Sequence, residues 1–169
     1  MEPVATTFFF YLLAGLAILG GVLVITRKNP VHSALALILT LLAIAGLYLM
    51  LYAPFVAGVQ IILYAGGIMV LFLFVIMLVN IERSQKEHQF NGQWMVGLLA
   101  AVALGGLFMG VFVKGRALFP EPAAKFAETD NTQKIADLLY SNYMLAFEIA
   151  SLLLLVAIVG AVVMAKKRI

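Results

Sequence analysis

Residues 57–80 read AGVQIILYAGGIMVLFLFVIMLVN, an uncharged and almost wholly apolar stretch interrupted by Gln60, by Tyr64 four places later and by the adjacent pair Gly66–Gly67. About 20 residues of α-helix cross the roughly 30 Å hydrocarbon core of a bilayer, so this run is long enough to span one. A buried strand of a soluble sheet is much shorter, and an outer-membrane barrel strand alternates apolar with polar residues, which this stretch does not. In lipid every backbone polar group must be bonded within its own segment, so the run is read as a membrane helix. What sets it apart is that its weakest helix formers stand at its middle.

Outward from this stretch, the same reading recurs. The chain has 169 residues, 64% hydrophobic and 11% charged, with a mean hydropathy of +1.10, an apolar excess that no soluble core requires. Five runs are long enough to cross a bilayer, at about 4–25, 31–53, 55–79, 94–113 and 143–165. The fold class expected is an all-α membrane protein of five transmembrane helices, forming a single integral membrane domain over 1–169. The first run is preceded by Glu2 with no Lys or Arg before it, and it exceeds the apolar length of a usual signal peptide, so it is read as a retained anchor. With no cysteine in the sequence, disulfides, thiolate iron–sulfur ligation and thiol nucleophiles are excluded for this chain. The net charge of +3 does not point to nucleic acid, because the basic residues gather at helix ends, where they set orientation.

Arg27, Lys28, Arg83, Lys86, Lys166, Lys167 and Arg168 fall on one side of the five runs. Lys114, Arg116, Lys125 and Lys134 fall on the other, interspersed with Glu121, Glu128, Asp130 and Asp137. The positive-inside rule then puts the C-terminus in the cytoplasm and the N-terminus outside. Asn29 before Pro30 has the chemistry of a helix cap followed by proline at the first helical position. Pro54 leaves so little chain between the second and third runs that they must form a tight antiparallel hairpin. Trp94 stands where the fourth run enters the interface. Ile135, Leu138 and Leu139, spaced i, i+3, i+4 in the loop after it, predict a short helix on the outer surface. In the fourth run Gly97, Ala101 and Gly105 share one face and Gly106 and Gly110 form a GxxxG on the next. Such faces let helices approach closely in lipid, within this chain or against another subunit.

Few residues offer chemistry. Glu148, about five residues into the fifth run, is a carboxylate that hydrocarbon would penalise by several kcal/mol, so it belongs against protein or a hydrated cavity, as a candidate proton-relay group or as a carboxylate reaching outer-side water. Gln60 and Tyr64, one α-helical turn apart, place an amide and a phenol on one face, where they order water or glue helices together without titrating near neutral pH. Gly66 and Gly67 weaken the helix by up to about 1 kcal/mol each. Adjacent glycines are sites of kinks, and π-bulges cluster at functional positions; the pair either lets Tyr64 rotate relative to the stiff IMVLFLFVIMLV that follows or admits a close neighbour. His32 and His88 sit in or beside loops on one side and do not face each other at bilayer depth. Glu82, Arg83, Lys86 and Glu87 read as a solvated turn. No phosphate-binding glycine loop, HExxH or nucleophile elbow is present, so no catalytic and no metal-binding residue is assigned.

The stretch NPVHSALALILTLLAIAGLYLMLYAPFVAGVQIILYAGGIMVLFLFVIML at 29–78, with FEIASLLLLVAIVGAVVMAKK at 147–167, resembles the J-type subunits of the proton-pumping NADH:quinone oxidoreductases, bacterial complex I. The resemblance is most specific in the third run; the fourth run and the loop after it are generic. It implies a subunit without redox groups or catalytic residues of its own, set in the bacterial cytoplasmic membrane among lipid and other membrane-arm subunits, especially types A, H and K. FMN, iron–sulfur clusters and quinone would belong to other subunits. It further implies a π-bulge in the third helix, with Tyr64, Ala65, Gly66 and Gly67 as a gating hinge whose return to plain α-helix controls a water path coupling quinone chemistry to proton pumping. Gln60 and Glu148 would be polar groups near that path. This sequence has Gln60 where some relatives carry glutamate, which moves the expectation there from proton carrying to hydration. The alternative reading is a small stand-alone ion or solute carrier coupled through Glu148, against which stand the lack of a second intramembrane charge and of an inverted repeat.

Overall fold

The first turn of the chain is set by Asn29. Its side-chain Oδ1 accepts from the Val31 N–H at 2.9 Å and its carbonyl from the Ser33 N–H at 3.0 Å, while Pro30 occupies the first helical position, as the sequence predicts. A computed structural model describes residues 3–78, 93–115 and 131–166, and every element among them is helical. These are α1 (Pro3–Thr26), α2 (Pro30–Met50), α3 (Pro54–Val59), a π-helix, π1 (Gln60–Ile68), α4 (Met69–Leu78), α5 (Trp94–Gly115), α6 (Asn131–Ser141) and α7 (Met144–Ala165). Five spans are long and apolar enough to cross a membrane, with α3, π1 and α4 joined into one rod of 25 residues, Pro54–Leu78. Their bounds fall within three residues of the sequence-based ones.

α2 is the hub of the first compact unit, in contact with α1, α3, π1 and α4. Its contacts with α1 are made by small groups. Gly20 is buried at a point where an added Cβ would collide with the Thr40 hydroxyl and lie 3.1 Å from the Ala36 carbonyl oxygen. Further along, a Cβ at Gly46 would come within 2.9 Å of Leu13. Near the loop, the Ser33 hydroxyl donates to the Val24 carbonyl of α1, so hydroxyl, glycine and leucine contacts lace the antiparallel pair along its length. The buried apolar residues are Ala34, Ala36, Ala43, Ala45, Ala57, Ala65 and Met69, whereas Leu35, Leu39, Leu42 and Leu49 of α2 are exposed. Small groups inside and large ones outside is the reverse of a soluble core. It follows because lipid is as apolar as leucine, so helices gain by close approach and not by hiding side chains.

α2 ends at Met50, three residues before the end of the apolar run. The Ala53 N–H bonds the Tyr48 carbonyl at 3.0 Å and the Tyr52 N–H the Leu49 carbonyl at 3.1 Å, the paired bonds of a Schellman termination. Tyr52 takes the left-handed position that this motif requires, with φ of 56°, where glycine is usual and a bulky residue costs about 1–2 kcal/mol. Pro54 then starts α3.

α5 carries Gly97, Gly105, Gly106 and Gly110, and a Cβ added at any of them would meet nothing within 4 Å. In the second compact unit, α6 packs on α7 through the edge-on rings of Tyr140 and Phe147, 5.3 Å apart. Ile135 and Leu139 of α6 are half-buried, which bears out the short helix read from their spacing. Arg83, Lys86, Arg116, Lys125, Lys167 and Arg168, with Glu82, Glu87, His88, Glu121, Glu128 and Asp130, lie outside the described residues.

The α1–α2 contact is directly testable. Gly20→Ala adds a methyl where a β-branched side chain and a backbone carbonyl already stand, so it is expected to destabilise the protein by about 1–3 kcal/mol, read as a lower thermal unfolding midpoint in detergent. Gly21→Ala, with open space around its Cβ position, should leave the midpoint unchanged or raise it.

Candidate functional site

The rod changes winding at Gln60. The Gln60 N–H still bonds the carbonyls of Val56 and Ala57, four and three residues back, but at the other end of π1 the Met69 N–H bonds the Tyr64 carbonyl, five back. Between them lies QIILYAGGI, nine residues wound as π-helix, longer than the single-turn bulge that is the usual form. Adjacent glycines make this winding easier. In π winding the carbonyl five residues back approaches the Cβ position; an added Cβ at Gly66 would sit 3.2 Å from the Ile61 carbonyl oxygen, and one at Gly67 would sit 3.7 Å from that of Ile62. A side chain at 66 therefore crowds the π form.

The wider turn decides which side chains face α2. Inward positions along the rod run Ala57, Gln60, Ala65, Met69, Leu73 and Ile76, the alanines and methionine buried and the others half-buried. Steps of three or four residues belong to α-helix; the one step of five, from Gln60 to Ala65, lies inside π1. Gln60 is half-buried, as are Gly58 and Val59 before it, and Ala65 is the next buried residue, while Tyr64 is 48% exposed and Gly66 and Gly67 are exposed beside it. The four-residue spacing that would stack amide over phenol in an α-helix does not do so in this winding. Among the described residues, neither the Gln60 amide nor the Tyr64 hydroxyl makes a side-chain hydrogen bond.

Glu148 stands in α7, in the second compact unit, and is exposed. Ser151 donates its hydroxyl to the Glu148 carbonyl at 2.7 Å. The residue before it, Phe147, carries the ring that meets Tyr140 of α6, so the carboxylate leaves the helix about 100° around from that contact. Tyr64, Ala65, Gly66 and Gly67, the residues expected from the resemblance to form a hinge, all lie within π1. Sequence reading misses that Ile61, Ile62, Leu63 and Ile68 share the winding, for which the sequence offers no signal beyond the glycine pair. His32 is exposed in the first turn of α2.

With this geometry in place, similarity to known proteins is decisive. Residues 20–164 match the family model described as NADH-ubiquinone/plastoquinone oxidoreductase chain 6. The chain belongs to this family. NADH-quinone oxidoreductase subunit J of Rhodobacter capsulatus is 41% identical over 163 residues, covering 93% of this chain and 80% of that one. The subunit J of Pseudomonas aeruginosa is 40% identical over 159 residues, 91% of this chain and 93% of its own. NADH-ubiquinone oxidoreductase chain 6 of Chondrus crispus is 37% identical over 165 residues, 93% and 81%. Membership in the chain 6 family gives no support to the stand-alone carrier reading.

The winding of π1 can be probed without assaying activity. Gly66→Ala combines the better helix propensity of alanine, about 1 kcal/mol, with crowding of the π carbonyl, and is expected to slow amide hydrogen exchange over residues 64–69 about fivefold. Gly58→Ala, in the α-helical part of the rod with open space around its Cβ position, should leave exchange over 64–69 unchanged.

Proposed function

We propose that this chain is a membrane subunit of a proton-translocating NADH-quinone oxidoreductase, and that π1 is its moving part. The observation that carries this reading is the nine-residue π segment at Gln60–Ile68, in a chain whose relatives are named subunits of that enzyme. Rewinding π1 as plain α-helix would shift one half of the rod against the other by one residue, a rotation of about 100° and a translation of about 1.5 Å. Counting four residues on from Gln60 in place of five brings Tyr64 and Ile68 to the positions now held by Ala65 and Met69. A phenol then replaces a methyl on the face toward α2, next to the Gln60 amide. Two windings so different in polarity are a means of admitting or excluding water, and both keep the backbone hydrogen-bonded.

In this reading Gln60 orders water and does not store a proton, since an amide does not titrate in the working range. Glu148 is a polar group near the path. The redox chemistry, with FMN, iron–sulfur clusters and quinone, resides in other subunits; a chain without a thiol does not fit iron–sulfur ligation by cysteine. Its neighbours would include subunits of types A, H and K, and the seven-to-four bias of basic residues supports an outer N-terminus and a cytoplasmic C-terminus in the bacterial inner membrane.

Gly66→Leu tests the moving part. It is expected to leave the complex assembled and to lower proton-coupled quinone reduction several-fold; full turnover and pumping in an assembled complex would refute the gate. Glu148→Gln, which keeps shape and removes charge, is expected to lower the proton yield per quinone reduced, measured with vesicles across pH. An unchanged yield at every pH would assign Glu148 a structural role.

A further inference from the structure

Tyr52 is the one non-glycine residue with positive φ among the described residues, and among these residues its side chain makes no hydrogen bond or ring contact that explains why a tyrosine stands there. Glycine would close the same pair of hydrogen bonds to Tyr48 and Leu49 without steric cost. Tyr52 is 66% exposed, and its neighbours Leu51 and Phe55 are exposed as well. The unfavourable backbone therefore carries a side chain on the outer surface of this chain.

Where it points follows from length and charge. α2 is entered through Arg27–Lys28 and the Asn29 cap, a charged pair of the kind that sits among headgroups. Its 21 residues advance about 31 Å, against a hydrocarbon thickness of about 30 Å. The turn at 51–53 thus emerges at the opposite boundary of the hydrocarbon. No Asp, Glu, Lys or Arg occurs anywhere from Ser33 to Leu78, so this boundary is not met by a charge. The polar side chains beside the turn are Tyr48, half-buried in α2, and Tyr52, exposed at the tip.

We propose that Tyr52 is a lipid-contact residue, its ring lying along the upper acyl chains and its hydroxyl donating to the ester carbonyl oxygens of the phospholipids around the α2–α3 turn. A phenol suits that layer because it is apolar along its body and hydrogen-bonding at its tip, and because the layer is rich in acceptors and poor in donors. With no charge at the turn, this contact fixes how deep the α2–α3 hairpin sits. The inference rests on the membrane-spanning fold and is independent of the gating role of π1.

The test places a photoreactive ring at this position. Tyr52→p-benzoylphenylalanine in the assembled, membrane-embedded complex is irradiated and the peptide spanning position 52 is analysed by mass. A phospholipid adduct is expected; an adduct to another polypeptide, or no adduct, overturns the proposal. Independently, the full chain carrying Tyr52→Trp and Trp94→Phe is reconstituted in phosphatidylcholine vesicles brominated at known acyl depths. Quenching at least twofold stronger from bromines near the carbonyl than from bromines near the terminal methyl is expected, and equal or reversed quenching overturns it.

Discussion

In hydrocarbon an unpaired backbone N–H or carbonyl has no water to turn to, and this prohibition shapes the weak middle of the third span. A soluble helix with adjacent glycines relaxes by kinking or by opening a turn to solvent. Within a bilayer the alternative must also be bonded, so the segment from Gln60 to Ile68 winds as π-helix, with the Met69 N–H at its end bonded to the Tyr64 carbonyl five residues back in place of four. Under the proposed gating, plain α winding would be a second closed way of winding the same residues. What would distinguish the two is the direction in which Gln60, Tyr64 and Ala65 face, and only secondarily the number of hydrogen bonds.

α2 gives that choice its meaning. Its small-residue contacts with α1, at Gly20 and Gly46, and the hydroxyl bond from Ser33 to Val24 make the pair a stiff reference surface. Met69 and the inward alanines of the rod lie buried. At one end the Schellman closure through Tyr52 holds the start of the rod close to the end of α2. With one flank of the rod held this closely, the change of winding proposed above would appear as a rotation and not as general looseness.

The spans were legible because lipid imposes length and apolarity together, and Asn29, Pro30 and Pro54 mark boundaries by chemistry that needs no tertiary context. The end of α2 was less legible. Glycine announces a left-handed cap, whereas Tyr52 does the same work without the signature, so the apolar run reads three residues past Met50. Gly66 and Gly67 identify the soft place, but the extent of π winding depends on competition between bonds four and five residues apart over nine positions, four of them ordinary isoleucine and leucine. The facing of Gln60 and Tyr64 inherits that difficulty, since a one-residue change of register reassigns it. Glu148 is visible as a carboxylate in an apolar run, yet its surroundings are not written in its own helix.

The five-residue step between Gln60 and Ala65 has a genealogical consequence. A rod that reaches its inward face one residue late contains, in effect, a single amino acid more than an uninterrupted spiral between the same ends would need. Removing one residue from that stretch would heal the spiral and leave every downstream side chain oriented as it is now. The surplus residue is therefore like a link of slack in a chain, and a one-codon insertion into an ancestral straight span would suffice to create it.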